Sequence, residues 1–153
     1  MKLKSLIIGT AAALSVASMA IADRGSDGHV NIIYWQAPSI LNPYLSGGTK
    51  DVESSSMIIE PLARYNQDGE LTAWLATEIP TVSNGGVSAD LMSITWNITP
   101  GIKWSDGSAF TAHDVVFTGN YCMNPDGGCA QSNKLADVAN IEALDDLTVK
   151  VTF

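Results

Sequence analysis

The chain has 153 residues, 46% of them hydrophobic and 16% charged, with a formal net charge of −8. That balance belongs to a folding, globular chain and excludes an intrinsically disordered one. The acidic surplus disfavours nucleic acid and anionic membrane surfaces as partners.

Residues 1–22 read as a targeting segment rather than as part of the fold. Lys2 and Lys4 form a positive start, Leu6 to Ile21 is apolar and uncharged, and Ala20-Ile21-Ala22 is an A-x-A cleavage site before polar Asp23. A membrane anchor is the competing reading. The apolar run is short for a span of ~20 residues and ends in small residues, which favours a cleaved secretory signal. No Cys lies near the site, so no lipid anchor is expected and the mature protein should be soluble. From Asp23 onward sixteen acids face six bases, since Lys2 and Lys4 leave with the signal, for a net charge of −10.

Val30 to Trp35 is nearly continuous in apolar residues, the pattern of a central strand buried on both faces. Ile40-Leu41-Asn42-Pro43-Tyr44 reads as a turn, because the residue before proline is pushed to extended geometry. A glycine-rich loop follows, Leu45-Ser46-Gly47-Gly48-Thr49. Asp51 to Glu60 reads as a helix stopped by Pro61, capped by Thr49 or Asp51, with Val52, Ser56 and Ile59 on one face. Gly47-Gly48 can bring a ligand close to backbone amides, or can be a plain connection; the residue pattern alone favours the connection.

Pro61–Tyr65 and Glu70–Thr72 flank Asn66-Gln67-Asp68-Gly69, a hairpin signature. Ala73 to Ala76 reads as a short helical turn or an irregular packed piece. Ser83-Asn84-Gly85-Gly86 is a loop. In the next stretch Ile94, Trp96 and Ile98 alternate with Thr95, Asn97 and Thr99, as in a half-buried strand. Ser105-Asp106-Gly107 is turn chemistry. Thr111-Ala112-His113-Asp114 is a capping-box-like start for a helix from Ala112 to about Tyr121, packing through Val115, Val116 and Gly119. Cys122 and Cys129 flank the loop Asn124-Pro125-Asp126-Gly127-Gly128. Export permits a disulfide there, and closing so short a loop stabilises by roughly 2–3 kcal/mol in the chain-entropy model. A zinc site is the weaker alternative, because no second Cys or His pair accompanies the two. Val138–Leu144 and Leu147–Phe153 read as two strands around Asp145-Asp146.

No catalytic constellation assembles. His29 and His113 lack ligand-spaced neighbours, so no metal site is expected. Ser54-Ser55-Ser56 reads as a small packing face, without a nucleophile elbow. Trp35, Trp74, Trp96 and Trp104 read as core rather than as a stacking platform. Asp106 and Asp114 are the one pair that a secreted hydrolase could use as acid and base, but turn and cap duties account for both.

The stretch Trp104-Ser-Asp-Gly107, continuing through Thr111-Ala112-His113-Asp114-Val115, resembles the signature of the extracytoplasmic solute-binding proteins of peptide and nickel ABC importers (solute-binding protein family 5). Ile40-Leu41-Asn42-Pro43, Glu60-Pro61-Leu62, Asp68-Gly69 and Val138–Phe153 are similar to other family segments in the same order. The resemblance covers residues 30–153. It implies an α/β, periplasmic-binding-protein-like two-lobe fold. This chain would hold only the N-terminal part of lobe one, with its mixed α+β subdomain. Residues 23–59 would be the first segment of that lobe and 60–153 the extra subdomain, incomplete at its end. The resemblance implies a monomeric periplasmic protein that captures peptides or a similar small solute and delivers them to a membrane permease. It implies neither catalysis nor a cofactor. In peptide-binding relatives the segment after the Asn-Pro or Asp-Pro turn meets the ligand; the matching positions are Gly47, Gly48 and Thr49. Gly47 stands where some relatives carry an acid that pairs with a peptide amino group. Peptides, nickel complexes, opines and some sugars all use this architecture.

Overall fold

In chain order the elements are α1 (Thr49–Ser55), β1 (Ala63–Tyr65), β2 (Leu71–Ala73), β3 (Ser93–Asn97), α2 (Ala112–Met123), a 3-10 turn at Ser132–Leu135, β4 (Asn140–Asp145) and β5 (Thr148–Thr152). The computed structural model describes residues 28–153, so the segment read as a secretory signal lies outside the described residues. All of these elements belong to one unit, Tyr34–Phe153.

Strands β3, β5 and β4 form an antiparallel sheet in that order. Trp96 and Ala143 stand opposite Val149, and Ile94 and Ile141 stand opposite Val151. Because side chains alternate along a strand, these six apolar residues share one face. Thr95, Glu142 and Lys150 share the other. The expected alternation at Ile94, Trp96 and Ile98 is thus realised. Helix α2 covers the apolar face, and Ile98, Ala112, Ile141 and Val149 form the buried centre. Each fully buried Ile or Val side chain there contributes about 1.5–3 kcal/mol.

The tight turn between β4 and β5 ties the layers together. Its Asp146 carbonyl accepts from the Ala112 amide at 2.8 Å, meeting one of the unpaired donors of the α2 start. The Leu147 carbonyl accepts from Ile98 N at 2.8 Å. At the same helix end the capping box forms as expected, with Thr111 N donating to Asp114 Oδ2 at 2.8 Å. Just upstream, Asp106 Oδ1 accepts from the Ser108 amide at 2.9 Å and the Ser108 hydroxyl at 2.7 Å, while Gly107 adopts a φ of 89° that favours glycine.

The β1–β2 hairpin forms around Asn66, whose Oδ1 accepts from the amides of Asp68 and Glu70, both at 2.9 Å. The Arg64 guanidinium lies 3.3 Å over the Trp74 ring, and Trp74 Nε1 donates to Glu60 Oε1 at 3.0 Å. The Asn84 loop covers one side of β3: Thr95 N donates to the Gly86 carbonyl at 2.7 Å. Covering a strand in this way satisfies an edge that would otherwise stay open.

Three expectations about strand formation and burial need correction. Val30–Trp35 is not a strand, and Ile33 is 98% exposed. No strand among the described residues pairs with it, and an apolar run without a ladder partner has no reason to stay extended and buried. Helix α1 stops at Ser55, and its buried face is Asp51, Ser54 and Ser55 rather than Val52, Ser56 and Ile59. Asp51 turns inward because it meets the Ser39 and Ile40 amides and the Ser46 hydroxyl there, and Ser55 Oγ donates to the Asp51 carbonyl at 2.6 Å. Trp35, Trp74 and Trp104 are exposed; only Trp96 joins the core face.

Gly119 is buried on α2, and a Cβ there would run into Ile141 of β4. A Gly119→Val substitution therefore overpacks the centre, at about 1–3 kcal/mol, with a parallel drop in the urea midpoint. Gly119→Ala gains up to about 1 kcal/mol of helix propensity against a smaller clash, so its loss is smaller.

Candidate functional site

Gly47, Gly48 and Thr49 are exposed and contiguous at the entry to α1. Gly48 is the N-cap, with extended backbone, so neither Thr49 nor Asp51 caps the helix as expected. A Cβ on Gly47 would meet nothing within 4 Å; one on Gly48 would touch Asp51 Oδ2 and Ser46 Oγ, both at 3.4 Å. The open side of the loop is thus at Gly47.

Asp51 holds this loop from behind. Its side chain is buried, and its Oδ1 accepts from Lys50 Nζ at 2.8 Å, Ser39 N at 2.6 Å and Ile40 N at 3.4 Å. Its Oδ2 accepts from Ser46 Oγ at 2.7 Å, and Ser46 Oγ in turn accepts from Gly48 N at 3.1 Å. Lys50 Nζ also donates to Ser39 Oγ at 2.6 Å. The Lys50 ammonium and the Ser46 hydroxyl, with the Ser39 and Ile40 amides, hold the Asp51 carboxyl far below its ordinary value of 3.8. No sequence signal singled out this role, because the donors at Ser39 and Ile40 come from before the loop.

The other flank of the loop is tied to the far end of α2. Tyr44 N donates to Asn42 Oδ1 at 2.9 Å, and Leu45 N to the Asn42 carbonyl at 3.2 Å, closing the Asn-Pro turn. The Tyr44 carbonyl accepts from Ala130 N at 2.8 Å, and the Pro43 carbonyl from Gln131 Nε2 at 3.4 Å. Ala130 follows Cys129, which is disulfide-bonded to Cys122 near the end of α2. Burial pushes the Tyr44 phenol up.

The structure does not bring the other candidates to this loop. A cavity of about 320 Å³ lies between α2, the sheet and residues 59–62, walled by Leu62, Trp96, Phe110, Ile141 and Val151, with Tyr44 and Lys134 at its side. None of Gly47, Gly48 or Thr49 lines it. Its walls are mainly apolar side chains of the core, with Glu60, Asp114, Thr118 and Gln131 also on its lining; Asp114 is already engaged by the Thr111 amide, so the cavity reads first as a gap in packing. Asp106 and Asp114 are engaged in their turn and cap. His113 lies 3.8 Å from Asp146 in an exposed pair. Among the described residues no group of three His, Cys, Asp or Glu side chains is placed to hold a metal ion.

The depressed Asp51 value gives a signed pH dependence. A carboxylate with a lowered folded-state pKa stabilises above its unfolded value near 3.8 and loses that stabilisation as pH falls below it. The melting temperature should fall between about pH 5 and pH 2, and Asp51→Asn should lower it at neutral pH while flattening that acid slope. Asp90, Asp106 and Asp145 are also lowered, so a residual slope remains.

Residues 70–153 match the family described as bacterial extracellular solute-binding proteins, family 5 Middle. The chain is 30% identical over 112 residues to a glutathione-binding protein of Pectobacterium atrosepticum, covering 73% of this chain and 21% of that protein. It is 29% identical over 120 residues to the oligopeptide-binding protein OppA of Bacillus subtilis, covering 74% of this chain and 20% of the relative. The chain therefore spans about a fifth of the length of these curated relatives. Its backbone is similar to that of the periplasmic binding protein AgaA of A. tumefaciens R10, solved with agropinic acid, with a TM-score of 0.66 and 29% identity over 76% of this chain and 22% of that one. The fold is accordingly part of a lobe of the two-lobe, α/β periplasmic-binding-protein architecture. The chain belongs to family 5 of the bacterial extracellular solute-binding proteins.

Proposed function

We propose that this chain is part of the substrate-binding component of an ABC importer, which captures oligopeptides, dipeptides or a similar small solute in the periplasm. The solute is then handed to a permease in the inner membrane. Binding and closure do the work, without bond chemistry. The observation that carries the reading is the family match over residues 70–153, alongside relatives whose names state glutathione and oligopeptide binding. Residues 1–22 act as the export signal, residues 23–59 open the first lobe and residues 60–153 contribute its extra subdomain. The remaining ligand-contacting walls come from a second lobe. The working protein is a monomer. Among the described residues no helix is long and apolar enough to cross a membrane.

Within this chain the Gly47-Gly48-Thr49 loop faces the solute. Its exposure, the open space at Gly47 and its support by Asp51 fit a preformed backbone contact. A hydrolase using Asp106 and Asp114 has less support, because both carboxylates are occupied by local hydrogen bonds.

The test is thermal denaturation of the whole protein with glutathione, dipeptide and oligopeptide pools, and opines. A ligand that binds only the native state adds about 2.7 kcal/mol at a hundredfold excess over Kd, a clear rise in Tm. No shift with any of these, together with cleavage of a peptide substrate, overturns the reading. Gly47 has no positive φ and open space, so Gly47→Ala should leave the ligand-free melt within about 0.5 kcal/mol. In ligand titrations the same variant should bind more weakly.

A further inference from the structure

The Cys122–Cys129 bridge spans a sequence separation of only 7, yet what it fastens lies far away in the chain. Both cysteines are buried. Cys122 belongs to α2, whose opposite end is fixed by the Asp146 carbonyl and the capping box. Cys129 is followed at once by Ala130, whose amide holds the Tyr44 carbonyl at 2.8 Å. Gln131 holds the Pro43 carbonyl at 3.4 Å. Tyr44 sits in the Asn42–Leu45 turn, and Ser46 directly after it supports both Asp51 and Gly48. The connection from the helix end to the exposed glycine loop is therefore continuous: bridge, Ala130, Tyr44, Ser46, Gly48. The loop from Asn124 to Gly128 that the bridge closes carries glycine at both Gly127 and Gly128, and Gly128 has a φ of 68°. Such backbone wanders unless its ends are joined.

We propose that the Cys122–Cys129 disulfide is a positioning element for the Gly47–Thr49 loop, acting through the Ala130–Tyr44 hydrogen bond. The solute-facing role of that loop is the reading given above; the positioning role is a statement about the ligand-free chain. Without the bridge, the segment carrying Ala130 and Gln131 is joined to α2 only through the Asn124–Gly128 loop and the packing of the Ser132–Leu135 turn on the helix, and the Asn-Pro turn loses its fixed neighbour. The loop is then anchored from the Asp51 side alone. The apolar centre, which uses Ile98, Ala112, Ile141 and Val149, keeps its contacts. The bridge thus acts on the geometry of a site to which neither sulfur belongs.

The experiment is amide hydrogen exchange, read residue by residue, on the ligand-free chain and on Cys122→Ser/Cys129→Ser. Ala130 and Leu45 report the connection; Ile98 and Ala139, which donate to the Leu147 and Thr152 carbonyls, report the sheet. Gly119→Val serves as a variant destabilised from the centre. Relative to the sheet amides, Ala130 and Leu45 should exchange about tenfold faster in the double serine variant than in Gly119→Val, as local opening requires. Proportional acceleration in both variants makes the bridge a general clamp and overturns the proposal. A second variant removes the donor and leaves the bridge: Ala130→Pro, with the disulfide verified by intact mass, should free Leu45, and Ala130→Ser should restore it. An unchanged Leu45 in Ala130→Pro overturns the proposal as well. Because no solute is present, these outcomes are separate from the success or failure of the ligand titrations.

Discussion

Residue 119 has no side chain, and that lets α2 lie directly against Ile141 of β4. The close approach buries Ala112 near one end of the helix and Cys122 near the other. Interiors pack to crystal-like density, so an element seated this closely has little freedom to tilt. The turn between β4 and β5 then supplies its carbonyls to the helix start and to the end of β3, which holds helix and sheet in one register. From this fixed helix the disulfide and the Ala130 amide reach out to the Asn42–Leu45 turn. The exposed glycine loop is in this sense positioned by a core it never touches.

The loop's second support is electrostatic. A buried carboxylate is tolerated only when its lone pairs are met, and Asp51 meets that demand with Lys50, Ser46 and two backbone amides. Lysine and aspartate adjacent in sequence do not usually share a helix face, yet both reach back to Ser39. The result is a loop with ordered flanks and an unobstructed Gly47. Preformed loops lose less entropy when they meet a partner, which is the physical advantage such an arrangement offers a binding protein. The neighbouring cavity of about 320 Å³ is walled mainly by apolar side chains of the core, and none of Gly47, Gly48 or Thr49 lines it.

How much of this was legible depended on the range of the interaction involved. The turn at Ser105–Gly107, the Thr111–Asp114 capping box and the Asn66 hairpin were all readable, because donor and acceptor lie within four residues of each other. The alternation in β3 was readable because a half-buried strand imposes period 2 on its own residues. Val30–Trp35 misled, since an apolar run becomes a strand only where another strand pairs with it, and none does among the described residues. The tryptophans misled for a related reason: Trp74 is held at the surface by Arg64 and Glu60, a pairing that no spacing within the chain announces. Of the candidate site, the glycine loop was visible through its similarity to family segments, whereas Asp51 as its support was not.

Local chemistry in the chain is enough to establish the turns, the caps, the hairpin and the strand pattern by which the family is recognised. It also offers the cysteine pair as ends of one short loop. Packing alone decided that the polar side of α1 faces inward, that three of four tryptophans stay exposed, and that the Asn-Pro turn meets the segment after Cys129. The Gln131–Pro43 contact crosses a separation of 88 residues. Interactions at that distance leave no periodic or positional trace, because they depend on how whole elements are seated and not on the order of neighbouring residues.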